Sequence, residues 1–298
     1  MRLVAVRIGI GVPARPFTAV VRSVFVNAAI LTVADRLVTL VPAAAGGLPH
    51  AVTVAVPQGF NFADFLATGA AAASRAGILR FAGSMVSVDL RPARQWRSGL
   101  RAMSLDFNRP AAESAWRSVA TILRADGRST AIARLASEAI LMLSGATRCF
   151  DLESAEQAAA RLVGLGAGGT PAGDDLLVGF LAGLWPSVAG IRRRADFATG
   201  LAAAVRGLAA RTNDVSRVYL EAAAAREVSE RLANVITCIA AAAAPAAVAE
   251  AAAAALAVGH SSGADGMLGL LLGLAAWGPE QIFAESLSLI DETLAADR

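Results

Sequence analysis

The residues best suited to chemistry lie in a glycine-rich segment, GLGAGGTPAGDD at 164–175, that leads into an apolar run. Glycines ahead of a helix expose backbone N–H groups, which commonly hold phosphate or another small anion. The adjacent Asp174 and Asp175 are suited to acid–base work, or to a Mg²⁺ ion that bridges carboxylate and phosphate. The segment therefore predicts an anion site whose ligand contacts are made by Gly166, Gly168, Gly169, Thr170 and Gly173.

A second segment, GHSSGAD at 259–265, repeats part of this pattern ninety positions later. From Gly173 and from Gly263 the chain follows the same form, G-x-D-x3-G-x3-G. We expect the two helix starts to converge and to form one cleft, since a short shared spacing of this kind indicates an internal repeat. The cleft would hold the catalytic candidates Asp174, Asp175, Asp265 and His260, with Ser261, Ser262 and Gly263 as further ligand contacts.

Ordinary helix-start chemistry explains part of the same pattern. Thr170 is a good N-cap, Pro171 suits the first helical position, and an early aspartate is favoured by the helix dipole. Glycines four apart, such as Gly179 and Gly183, let another helix approach closely. Between the two segments, Thr212 and Ser216 fit either a helix cap and a surface hydroxyl or two ligand contacts, and Arg211 and Arg217 are available to an anion.

Composition excludes several classes of function. All 27 basic residues are arginine, so no lysine can form a Schiff base or complete a phosphate-binding P-loop. Two histidines, His50 and His260, are too few for a histidine-rich metal site, and the sequence requires no cofactor, Mg²⁺ being the one it admits. The net charge of +3 is carried by scattered arginines, which predicts no nucleic-acid partner.

Cysteine use and hydropathy bear on location. Cys149 and Cys238 have no metal-binding spacing and are expected to be reduced thiols. The alanine-rich run at 240–258 is interrupted by Pro245 and carries Glu250, so it does not predict a membrane span. With no secretory signal in residues 1–17, we expect a cytoplasmic protein with no membrane partner.

The order of predicted elements indicates an α+β fold in two domains, 1–108 rich in strands and 109–298 helical. Valine-rich runs at 19–33, 36–42, 50–56 and 84–90 predict strands, and 62–75 predicts a helix. Apolar periodicity predicts helices at 111–124, 129–144, 153–163, 171–185, 195–210, 214–241, 246–257, 262–277 and 279–295.

The two glycine-rich segments together resemble the AllH-like family, which includes a subunit of the oxamate carbamoyltransferase complex of allantoin breakdown. The stretches 22–41 and 88–96 and the spacing of Thr212 and Ser216 also look like that family. Departures stand at Ala167, Gly169, Ala172 and Asn27, which puts oxamate itself in question. The resemblance carries site roles onto Gly166, Gly168, Thr170, Gly173, Asp174, Asp175, His260, Ser261, Gly263 and Asp265.

This resemblance implies a subunit of a carbamoyltransferase-type complex that binds carbamoyl phosphate or a related small anion and whose partners are other subunits. Loop N–H groups would hold the phosphate, His260 would shuttle a proton or polarise a carbonyl, and the aspartates would orient arginine or Mg²⁺. Two alternatives stay open. One is a non-catalytic assembly or regulatory subunit whose GxxxG helices form an interface. The other is a hydrolase with Mg²⁺ on Asp174, Asp175 and Asp265.

Overall fold

The computed structural model describes residues 1–126 and 130–295 of the chain. The chain divides into two units, Met1–Ser98 and Gly99–Arg298, each with its own hydrophobic core. The first unit contains the strands and the second the helices. The predicted α+β class is therefore confirmed.

The first unit is a sheet of nine strands, described in chain order. They are β1 Arg2–Gly9, β2 Thr18–Phe25, β3 Ala28–Val33, β4 Arg36–Pro42, β5 Ala51–Ala55, β6 Ala71–Arg75, β7 Ile78–Phe81, β8 Ser87–Asp89 and β9 Arg94–Trp96. Neighbouring strands follow the order β5-β4-β3-β2-β6-β7-β8-β1-β9, and β5 also pairs with β1. The sheet closes on itself through that last pairing, in which Val4 is opposite Ala55 and Ile8 opposite Val52.

Alternating burial along the strands shows why these residues form the sheet. In β3 every second side chain is buried, Ala29, Leu31 and Val33, as a strand with one face on a core requires. The run 19–33 is two strands with a turn at 26–27 between them. The predicted helix at 62–75 is wrong: Phe62–Asp64 is a single 3₁₀ turn and Ala71–Arg75 is β6. The alanines of this stretch favoured a helix, but Ala72 is buried in the sheet, where β6 pairs with β2 on one side and with β7 on the other.

The second unit contains ten α-helices among the residues that the structure describes. They are α1 Pro110–Asp126, α2 Thr130–Cys149, α3 Leu152–Leu162, α4 Ala172–Ser187, α5 Arg192–Leu208, α6 Asp214–Ala224, α7 Glu230–Ala240, α8 Pro245–Leu256, α9 Ser262–Ala275 and α10 Glu280–Ala295. The single helix predicted over 214–241 is two, because the chain turns after α6 through Arg226, whose φ is +66°. No described helix is long and apolar enough to cross a membrane.

Helices α4 and α9 form the centre of the second unit. In α9 every residue after Ser262 is buried, and in α4 all but Asp175 and Val178 are. The two helices run in the same direction, since Gly179 faces Gly266 and Gly183 faces Leu270, four residues further on in each. Glycine is needed at this contact: a Cβ added to Gly179 would lie 1.8 Å from the carbonyl oxygen of Gly266.

The close approaches are reciprocal between the two helices. A Cβ on Gly269 would lie 1.9 Å from the oxygen of Leu176, and one on Gly273 would lie 2.2 Å from the oxygen of Phe180. Gly269 and Leu176 stand ninety positions from Gly179 and Gly266, respectively. Each half of the interface therefore repeats the other, as a local twofold relation requires, and α4 and α9 begin at equivalent positions, 172 and 262.

The repeat extends beyond the central pair. Helices α1–α5 and α6–α10 form two sets of five in the same order. Helix α4 packs on α6 as α9 packs on α1, α5 packs on α6 as α10 packs on α1, and α2 packs on α3 as α7 packs on α8. Other contacts, such as those of α1 with α8 and of α2 with α10, have no comparable counterpart among the described residues, so the twofold relation holds around α4 and α9 and not for every helix. The starts of α4 and α9 lie together where the two halves meet.

Candidate functional site

The glycine-rich loop ahead of α4 presents unpaired backbone donors at the surface. Gly164, Gly166 and Gly168 all have positive φ (77°, 112° and 108°), which other residues adopt only with strain. Residues 166–169 are exposed. The N–H groups of Gly166 through Thr170 donate to no group in the part of the chain that the structure describes. Five neighbouring amides in this state are suited to a small anion.

Asp174 holds this loop in place. Its side chain is buried, and one carboxylate oxygen accepts a hydrogen bond of 2.8 Å from the N–H of Gly164. The other oxygen accepts a short hydrogen bond from the hydroxyl of Thr212. Asp174 thus connects the loop to the segment ahead of α6, and both of its carboxylate oxygens accept hydrogen bonds from within the chain.

Asp175 lies one residue further on and is only half-buried. Its Oδ2 accepts a hydrogen bond of 2.8 Å from the hydroxyl of Thr170. Burial raises the pKa of Asp175 to about 7, helped by the charges of Asp265 and Asp174 and opposed by the hydroxyls of Thr170 and Ser262. A carboxyl with such a pKa can accept or give a proton near neutral pH.

Asp265 occupies in α9 the position that Asp175 occupies in α4. Its side chain is wholly buried, and burial raises its pKa to about 7. The hydroxyl of Ser261 is near enough to lower that pKa somewhat, yet neither carboxylate oxygen has a hydrogen-bond partner of good geometry among the described residues. A buried carboxyl without partners costs free energy, and a bound water, an ion, a ligand or a catalytic role can account for one in a native structure.

The two helix starts meet through a hydroxyl pair. The Oγ1 of Thr170 and the Oγ of Ser262 lie 2.8 Å apart, which joins the loop before α4 to the first residue of α9. Thr170 does not cap α4, where Pro171 stands at the N-cap, and Ser261 holds the N-cap of α9 with no side-chain hydrogen bond. His260, just ahead of Ser261, is exposed and interacts with the chain.

The first glycine of each repeated segment, Gly173 in one and Gly263 in the other, allows close packing. A Cβ on Gly173 would lie 2.1 Å from the oxygen of Leu162, and one on Gly263 would lie 2.3 Å from the oxygen of Ala255. Their N–H groups donate within the chain, to Leu165 and Val258. A ligand contact from either glycine stays a prediction.

The start of α6 supplies the predicted Ser216 and two residues that the sequence analysis did not single out, Asn213 and Tyr219. Asn213, not Thr212, caps this helix, and the Asn213 side chain also donates to the carbonyl of Gly169 at 3.1 Å. Ser216 is buried and its hydroxyl has no partner within the described residues. Tyr219, on the same helix face, has a pKa raised by burial and by the charge of Asp175. The spacing of Tyr219, one helical turn after Ser216, was the sequence signal that could have indicated this face of α6.

The predicted metal set and the two predicted arginines, Arg211 and Arg217, differ in their contacts. Within 1–126 and 130–295, no group of three or more His, Cys, Asp or Glu side chains is arranged to hold a metal ion. The Mg²⁺ set of Asp174, Asp175 and Asp265 stays a prediction, and the engagement of both Asp174 oxygens weighs against it. Arg217 pairs with Asp214 at 3.1 Å, and Arg211 is exposed with its carbonyl against Gly164.

The arrangement combines a binding element with an acid–base element. Two parallel helices begin side by side, so their positive dipole ends add at one place. The exposed amides lie in the loop that enters the first helix, and two carboxyls titrating near neutral pH lie in the first turns of both. Such a site can hold a small anion and exchange a proton with it.

A comparison with known protein families finds a match over the part of the chain that forms this site. Residues 162–274 match the family model described as oxamate carbamoyltransferase subunit AllH. The match begins at the end of α3 and ends within α9, so it includes the loop, both aspartate positions and the start of α6. No curated protein and no solved structure matches the chain.

Proposed function

We propose, from the premise that residues 162–274 are AllH-like, that this protein is a subunit of a carbamoyltransferase complex of the oxamate type. Its role in that complex is to hold carbamoyl phosphate, or a related small anion, at the glycine-rich loop and the joined starts of α4 and α9. Its partners are the other subunits of the complex.

One observation carries this proposal: unpaired amides and two helix N-termini occur at one place. The N–H groups of Gly166–Thr170 have no acceptor among the described residues, and Thr170 is bonded to the start of the second helix. A chain without lysine must supply positive potential through arginine, amides and helix ends. The glycine-rich loop and the helix pair together provide it.

The chemistry of transfer assigns roles to the neighbouring groups. When a carbamoyl group moves to an acceptor, its C–O bond to phosphate breaks, phosphate leaves with the electron pair, and the acceptor loses a proton. Amides of the loop stabilise the leaving phosphate. Asp175, with a pKa near neutral pH, takes the proton, and His260 relays it at the surface. Asp174 is a positioning residue that fixes the loop.

The two alternatives are less well supported by the contacts. The GxxxG face of α4 packs on α9 of the same chain, so it is not available to another subunit. A Mg²⁺-dependent hydrolase needs carboxylate oxygens free for the metal, and both oxygens of Asp174 already accept hydrogen bonds, which leaves only Asp175 and Asp265 of the predicted set to bind it. We therefore favour anion binding over an assembly role through GxxxG helices and over metal-dependent hydrolysis.

Calorimetric titration of the full chain with carbamoyl phosphate tests the proposal, with Gly169→Glu as the variant. A Cβ at Gly169 meets nothing within 4 Å, so the new carboxylate adds negative charge to the loop without a clash. Gly207→Glu is the matched control, because Gly207 is equally open and lies in α5. We expect at least about a tenfold weaker affinity in Gly169→Glu and no change in the control. Equal affinities in all three proteins would refute an anion site at the loop.

A further inference from the structure

Asp265 is the least satisfied polar group of the candidate site. It has no exposed surface, and neither of its oxygens accepts a hydrogen bond of good geometry from the described residues. Asp174 and Asp175, by contrast, both accept hydrogen bonds from the chain. Leaving a buried carboxyl unpaired costs free energy that a partner from outside the chain would recover.

A second buried group shares this condition and lies on the element that is bonded to the loop. The hydroxyl of Ser216 has no partner among the described residues, although the side chain is almost wholly buried. Ser216 lies in the first turn of α6, whose cap Asn213 holds the carbonyl of Gly169. Tyr219, on the same face of α6, is near enough to Asp175 to sense its charge. Asp265 and the face of α6 that carries Ser216 and Tyr219 are therefore both near Asp175.

The chemistry of these groups specifies what is missing. An ionised carboxylate only accepts hydrogen bonds, so its partner must bring N–H or O–H donors. The amides of the loop only donate, so the partner they suit is an anion. A ligand that satisfies both must carry an anionic end and, a few bonds away, an end with N–H groups.

We infer that Asp265 is the residue that selects a carbamoyl group, by accepting hydrogen bonds from its NH₂ while the anionic end lies on the amides of Gly166–Thr170. This inference rests on the proposed function and adds the residue that makes the site specific for a carbamoyl group. The hydroxyl of Ser216 completes the recognition by donating to the carbonyl oxygen. An acyl phosphate with a methyl group in place of NH₂ leaves Asp265 unpaired and is rejected on that ground.

Access to Asp265 passes the first turn of α9. Ser261 and Ser262 are half-buried, whereas Gly263 and every later residue of the helix are buried. Ser262 is bonded to Thr170, which ends the loop. On this inference, the Thr170–Ser262 hydroxyl pair has to separate before a ligand seated on the loop can contact Asp265.

Two stable analogues of the same shape test the inference in the full chain. Phosphonoacetamide carries the NH₂ group, and acetonylphosphonate has a methyl group in its place. We expect the wild-type protein to bind the amide at least about tenfold more tightly. Asp265→Asn should bring that ratio close to one without weakening the binding of inorganic phosphate. Ser216→Ala should weaken both analogues alike, because both carry the carbonyl oxygen.

The outcomes distinguish a failure of this inference from a failure of the proposed function on which it rests. Equal affinities of the wild-type protein for both analogues, or an unchanged ratio in Asp265→Asn, would overturn the role of Asp265 and leave phosphate binding intact. Absence of any phosphate or phosphonate binding, by the chain or by its complex, would overturn the proposed function and the inference together. Binding of Mg²⁺ alone that Asp265→Asn abolishes would assign Asp265 to a cation. If Asp265→Asn does not fold, the ratio of the two affinities in the wild-type protein decides.

Discussion

The hydroxyl of Thr170, in the loop before α4, lies 2.8 Å from the hydroxyl of Ser262, the first residue of α9. This hydrogen bond joins two segments that are far apart in the sequence and equivalent in the repeat. It also places Asp175 and Asp265, the fourth residues of their helices, close enough for the charge of one to raise the pKa of the other.

The stability of the protein should fall as pH rises from about 4 to about 7. The pKa values of Asp175 and Asp265 rise from 3.8 to about 7 in the folded state, mainly through burial. Between these values the unfolded chain has released protons that the folded chain still binds, which favours unfolding as pH rises. Urea midpoints measured from pH 4 to pH 8 should show the decline, and Asp175→Asn should make it shallower. The lowered pKa of buried His50 acts in the opposite direction, so an equal pH dependence in Asp175→Asn, and not the sign of the total change, would contradict the raised pKa of Asp175.

Close packing of α4 on α9 should not tolerate a single methyl group. Gly179→Ala places a Cβ about where the carbonyl oxygen of Gly266 lies, at 1.8 Å, so the helices must separate. We expect a loss of about 3 kcal/mol or more in the free energy of unfolding, as for strong overpacking. Gly145→Ala, in α2 with nothing within 4 Å of its Cβ, is the control and should gain up to about 1 kcal/mol. Denaturant unfolding measures both, and equal effects would show that the α4–α9 contact is looser than described.

Loss of the Thr212 hydroxyl should affect both stability and binding. Thr212→Val removes a hydrogen bond to the buried carboxylate of Asp174, which typically costs about 1.5–3 kcal/mol. Because Asp174 also holds the N–H of Gly164, the loop should become less ordered and bind anions more weakly. Thr121→Val, which removes an exposed hydroxyl bonded to its own helix, should change neither quantity. Unchanged anion affinity in Thr212→Val would separate Asp174 from the loop function.

Anion affinity should itself depend on pH. Ionised Asp175 and Asp265 repel an anion at the same helix ends, so binding should be tightest below the pKa of about 7 and should weaken above it. Sulfate is the suitable probe, since it does not titrate in this range. Calorimetry at pH 6 and pH 8 should show the change, and Asp175→Asn should reduce it. A sulfate affinity that stays constant in the wild-type protein would mean that the anion lies away from both carboxyls.

Much of the helical unit follows from local sequence. Apolar periodicity places α4 and α9 within a few residues, since both are long, apolar and preceded by glycine and serine or threonine. The two wrong helix predictions, over 214–241 and 62–75, also have local causes. Over 214–241 the alanines continue the helical pattern through a turn at Arg226, and in 62–75 alanine indicated a helix where strand pairing decides.

The candidate site is predictable in its residues and less so in their roles. The spacing of Asp175 and Asp265 indicates that they are equivalent, but only the packing shows that Asp265 is sealed and unpaired while Asp174 is fully bonded. Asn213 and Tyr219 reach the site through tertiary contacts made by α6. No local rule assigns such contacts, because they depend on which helix faces which.

The twofold relation between the two sets of five helices has a consequence for how a substrate is oriented. Identical halves would build a symmetric cleft at their junction, which could bind an unsymmetrical molecule equally well in two opposite directions. Here Thr170 and Asp174 on one side correspond to His260 and Ala264 on the other. These differences make the junction unsymmetrical, so the two directions of a molecule bound there would differ in energy.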